Sequence, residues 1–176
     1  MLRLSIAAVL TLIAFASNSV LNRMAVAGGH ISVGDFAIYR VAAGAITLIV
    51  ISLIIRRSKV FEIIKQNISL RILGGLSLAT YMLGFSLAYL KLDAGLGTLL
   101  LFGSVQLTMF TASMMMKEVL TLRRIIGAVI ALSGLIWLLL PEGKILLPIG
   151  AVTAMVIAGI GWGCYSLLGR KATDPI

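Results

Sequence analysis

The sequence predicts an all-α, polytopic membrane protein, a bundle of about six transmembrane helices. Three observations carry that prediction. The chain is 60% hydrophobic and only 12% charged, about half the charge of an ordinary soluble domain, and its mean hydropathy is +1.12. Its apolar residues fall in runs of roughly twenty, the length that crosses a hydrocarbon layer about 30 Å thick at about 1.5 Å per residue. Its 15 basic residues stand mostly between those runs, where charge sets orientation. The net charge of +9 is therefore read as a topology signal. No nucleic-acid partner is expected, because the basic residues are not interleaved with base-stacking aromatics.

The spans run over about 5–27, 36–55, 72–90, 94–116, 124–140 and 149–168. The first begins after Arg3 and has the outline of a leader peptide with Ala14-Phe15-Ala16 as its cleavage site. The apolar stretch continues to about Ala27, so a retained spanning helix is expected, broken by Gly28-Gly29. Arg56-Arg57 closes the second span. In the 56–71 loop, Phe61, Ile64 and Ile68 share a helical face and could lie along the interface, with a solvated connector as the alternative. Lys91 to Asp93 form a tight hairpin, which makes the third and fourth spans antiparallel. Thr121 caps the fifth, Pro141 ends it, and Pro148 fits the first turn of the sixth.

Loop charges orient the bundle. With the N-terminus cytoplasmic, eleven basic residues fall inside and three (Arg23, Lys91 and Lys144) outside, while Arg40 lies within a span. Both termini are then cytoplasmic, in the cell membrane. The lipid bilayer is the first partner this implies.

FASNSVLNR, 15–23, and WGCYSLLGR, 162–170, agree in kind when shifted by 147 positions: aromatic, two small residues, a larger polar-capable residue, Ser, and finally Arg. The first string runs outward and the last inward. A five-helix unit that begins again at the sixth span must be inverted, the arrangement on which secondary transporters build a midplane site.

Phe36 to Ala43, with Arg40, resembles the second helix of EamA-type permeases of the drug/metabolite transporter superfamily. The run AYLKLDAGLGTLLLFGSVQLTMFTASMMMKEVLT, 88–121, resembles that family's third-to-fourth-helix hairpin, ending at a cytoplasmic Glu, here Glu118. Ile126-Gly127 and Ser133-Gly134 match glycines of its fifth helix, and AGIGWGCYSLLGRKATDP, 158–175, is similar to the opening of its second repeat. The resemblance implies half of an inverted five-plus-five helix repeat. Residues 1–140 would be the first repeat and 141–176 the start of an incomplete second. It also implies transport of a small-molecule substrate by alternating access.

Each polar group inside a span needs a partner or a task. Asn18, with Asn22 one turn outward, either bonds a neighbouring helix or lines a substrate path. Arg40 lies about one turn inside the outer end of its helix. The expectation is snorkelling to the headgroups; the alternative is a cation facing a cavity and pairing with a substrate carboxylate or phosphate. Tyr81, near mid-span, shares a face with Ser77, Gly84 and Ala88. Gln106 has four hydrogen-bonding sites to satisfy and is expected to line a cavity. Tyr165 stands where Asn18 does in the first string and joins these substrate-path candidates. Gly97, Ser104 and Thr108 form a small-residue packing stripe, and Gly127 and Gly134 are expected to pack.

No Asp or Glu lies within a span, so proton-coupled export of cations is not supported by these residues. One cysteine, Cys164, and one histidine, His30, make no metal site. No cofactor is expected. No HExxH, paired Asp or Ser/His pair lies in a span, so the chain is not expected to be an enzyme. The alternative to a permease is a six-helix accessory or assembly protein acting as a homodimer.

Overall fold

A computed structural model of the chain describes residues 2–29, 31–56, 68–118, 121–139 and 148–170. These form six helices: α1 (Leu2–Ala27), α2 (Val33–Arg56), α3 (Ile68–Ala88), α4 (Ala94–Met115), α5 (Leu122–Leu139) and α6 (Ile149–Arg170). No strand occurs among the described residues. Among the described residues, five of the helices (α1, α2, α3, α4 and α6) are long and apolar enough to cross a membrane. The molecule is a multi-pass membrane helix bundle. Its exposed Leu12, Ile13, Ile46, Leu48 and Ile49 suit a lipid surface, where water would make them a liability.

Local chemistry explains where the helices begin. α2 starts at Val33, ahead of the expected 36, because Ser32 caps it. The Ser32 hydroxyl accepts from the Asp35 amide (3.1 Å) and donates to the Asp35 carboxylate (2.7 Å). This is a Ser-x-x-Asp capping arrangement. Pro148 stands at the start of α6, and its carbonyl accepts from Ala151 (2.8 Å) and Val152 (3.0 Å), the bonds of the first turn. Thr121 stands at the start of α5 as expected, accepting from Arg124 and Ile125. The 56–71 loop lies outside the described residues up to Asn67, as do His30 and Pro141, and Ile68 belongs to α3.

The packing centres on α6, which lies against α3 and α4. Backbones approach closely there because glycines face the contacts. A Cβ added to Gly161 would come within 2.8 Å of the Ser77 carbonyl of α3, and one added to Gly163 within 2.7 Å of Thr108 Cγ2 of α4. Gly84 of α3 meets the Ala154 carbonyl in the same way, at 2.7 Å. The Ser104 and Thr108 hydroxyls donate to carbonyls of their own helix, Leu100 (2.7 Å) and Ser104 (2.8 Å). They need nothing from α6. In the α4 stripe, Gly97 lies under the Tyr89 ring, Ser104 against Gly159 and Thr108 against Gly163. Gly127 and Gly134 of α5, also expected to pack, face open space among the described residues. Phe85, Tyr89, Leu92 and Met155 are the large buried side chains of the α3–α4–α6 core.

Candidate functional site

Three helices converge on one polar cluster about a third of the way along the bundle. Asn18 lies nine residues from the end of α1, Arg40 seven from the start of α2, and Tyr81 seven from the end of α3. At about 1.5 Å per residue, all three sit roughly 10–14 Å from the same end of the bundle. Arg40 Nη2 donates to Asn18 Oδ1 at 3.2 Å. The Tyr81 hydroxyl lies beside both groups. The guanidinium carbon is 5.6 Å from the Phe36 ring centroid and 5.5 Å from that of Phe85. Arg40 is therefore turned into the bundle. The snorkelling expectation is corrected: the Asn18 amide and two aromatic faces hold the cation inward.

The cluster is incompletely satisfied. Arg40 Nη1 is buried and donates to no described group, and Asn22 Oδ1 is buried without a donor. The other end of the Asn22 amide is used, since Nδ2 donates to Ser86 Oγ at 3.1 Å. Among the described residues Arg40 forms no ion pair. Asp35 is engaged by Ser32, Asp93 by Arg23 and Glu118 by Arg170. An unmatched cation at the centre of a membrane helix costs about 2.5–3.5 kcal/mol or more, and less towards its ends.

Beneath the cluster lies an aromatic ladder. Tyr81 and Trp162 have ring centroids 5.3 Å apart, Phe15 and Trp162 5.2 Å, and Phe102 and Trp162 5.7 Å. It links α1, α3, α4 and α6. Phe15 and Trp162 open the two matching nine-residue strings, and each sits near the middle of its helix. Their contact was not legible in the sequence, although the 147-residue match singled out both positions.

Gln106 and Tyr165 are not in the cluster. Gln106 is exposed, two residues and so about 200° around α4 from Ser104. The expected cavity-lining position finds no cavity wall on that side among the described residues. Tyr165 is exposed and lies opposite Gly74 of α3, about 10 Å along that helix from Tyr81.

Two ion pairs lie at opposite ends of α4. Arg23, closing the first matching string, pairs with Asp93 at the start of α4. Arg170, closing the second, pairs with Glu118 just past its end, at 3.1 Å. Glu118 also accepts from the Ser113 hydroxyl at 2.8 Å. That bond first, and Arg170 after it, hold the Glu118 carboxyl below its ordinary value. Among the described residues no His/Cys/Asp/Glu group could hold a metal ion.

No family model matches the chain, and no solved structure matches it. The chain is 39% identical over 168 residues to the uncharacterized protein PA1977 of Pseudomonas aeruginosa, across 96% of this chain and 56% of the relative. It thus spans little more than half the length of the curated relative it matches.

Proposed function

We propose that the chain is the opening half of an EamA-type permease of the drug/metabolite transporter superfamily, together with the first helix of the second half. The whole protein would move a small metabolite across the cell membrane by alternating access, with both ends of the present chain cytoplasmic. The observation that carries this reading is the inward-turned Arg40, held with Asn18 and Tyr81 within an apolar bundle. Polar groups kept at such depth mark substrate or ion paths.

The matching strings add support. Two residues exchanged by a twofold axis touch only if both lie near it, and the Phe15 and Trp162 rings touch at 5.2 Å. The equivalent arginines, Arg23 and Arg170, pair at opposite ends of α4, as an inverted relationship requires.

Reading the coding DNA past Ile176 is the first test, and four further apolar runs are expected. Unrelated sequence after a stop codon would sink the half-permease reading. The full-length product, reconstituted in liposomes, should accumulate substrate above protein-free vesicles. The second reading, a homodimeric accessory protein, draws on the exposed apolar faces of α1 and α2. Crosslinking in membranes that yields only monomer removes it.

A further inference from the structure

Building on the transport reading, we propose that the Arg40 cluster is an oxyanion subsite, taking a carboxylate or phosphate oxygen on the unoccupied Nη1 edge of the guanidinium. Asn18 holds the other edge through the 3.2 Å bond to Nη2, which fixes the orientation of the group. Phe36 and Phe85 lie over the cation at 5.6 and 5.5 Å and strip water from it. What is left is an in-plane donor, Nη1, enclosed and without an acceptor.

A neutral carbonyl or a water would answer the hydrogen bond but not the charge. Each described carboxylate at the ends of the bundle is already engaged elsewhere. An oxyanion answers both needs, because a planar guanidinium binds carboxylate or phosphate in its own plane through charge-assisted bonds. Asn18, Phe36 and Arg40 are half-buried as whole residues, while Nη1 itself is enclosed, so a ligand reaches it only when the cluster parts.

The chain contains two tryptophans. In the full-length product, with Trp137 and any tryptophan encoded past Ile176 replaced by Phe, Trp162, whose ring lies 5.3 Å from Tyr81, is the reporter. In maltoside micelles, which carry no phosphate, cyclohexanecarboxylate or inorganic phosphate should change Trp162 emission saturably. Cyclohexanecarboxamide, the neutral isostere, should bind about ten-fold more weakly or worse. Arg40→Gln should erase the preference for the anion, and Arg40→Lys should keep it in weakened form. Equal binding of acid and amide, or an anion preference that survives Arg40→Gln, overturns the proposal.

Should Arg40→Gln fail to fold, phenylglyoxal labelling of Arg40 in the unaltered full-length product decides. The bound anion should slow modification of Arg40 several-fold, and no slowing overturns the subsite. Protection by added phosphatidylglycerol, with none from the soluble anions, assigns the oxyanion to a lipid headgroup and overturns the substrate role. A protein that binds the acid yet transports nothing when full-length keeps the subsite and loses the transport reading. One that transports without anion preference loses only the subsite.

Discussion

Lys117 is the one non-glycine residue among those described with a left-handed backbone, at φ 54°. It ends α4 in a Schellman arrangement: the Lys117 amide donates to the Met114 carbonyl and the Glu118 amide to that of Ser113, each at 3.0 Å. That turn brings the Glu118 carboxylate back over Ser113 and towards Arg170. A side chain in this conformation costs about 1–2 kcal/mol. Lys117→Gly should be neutral or stabilising by up to about 1 kcal/mol, and Lys117→Val destabilising by about 1–2 kcal/mol, read as thermal unfolding in detergent. Glu118 carries a pH signature. Its folded pKa is lowered, so its contribution is fully present above the unfolded value, about 4.3, and is lost as pH falls through the folded one. The stability difference between the parent chain and Glu118→Gln should be constant above about pH 5.5 and shrink below pH 4. A difference that grows on acidification contradicts the assignment.

At the scale of elements, α6 and α5 are opposites. α6 is seated through glycines on two sides, with Gly161 towards α3 and Gly159 and Gly163 towards α4. In lipid such close approach replaces the hydrophobic effect as the source of helix association. Gly159→Val would push the Ser104 side chain and the Leu101 carbonyl and should cost about 1–3 kcal/mol or more. Gly127→Ala and Gly134→Ala on α5 meet open space and should be neutral or stabilising by up to about 1 kcal/mol, since alanine is the better helix former. Equal sensitivity of the two helices to these changes would refute this division of roles.

For the molecule, the count of crossings fixes where the two ends of the chain lie. Five helices qualify by length and composition among the described residues, and α5 carries Arg123 and Arg124 in its first turn. Six crossings put both ends of the chain on one side of the membrane; five put them on opposite sides. Fluorescent tags at each end should report the same compartment, the cytoplasm, as the eleven-to-three bias of basic residues requires. Tags on opposite faces would remove α5 from the set of spans.

Hydropathy and loop charge, read along the chain, determined the class, the six helices and their order, because lipid forces every backbone amide into a helix and twenty apolar residues leave little else to do. The α4 packing stripe was legible for the same local reason: residues three, four and seven apart share a face whatever lies opposite. Which face meets which neighbour is not local. The sequence placed Asn18, Arg40, Tyr81, Gln106 and Tyr165 on one list. Only the packing of α1, α2 and α3 brought the first three together, while Gln106 and Tyr165 remained outside. The direction of Arg40 was decided in the same way. Its stem reaches either headgroups or bundle, and the choice belongs to Asn18, Phe36 and Phe85, two of which come from other helices.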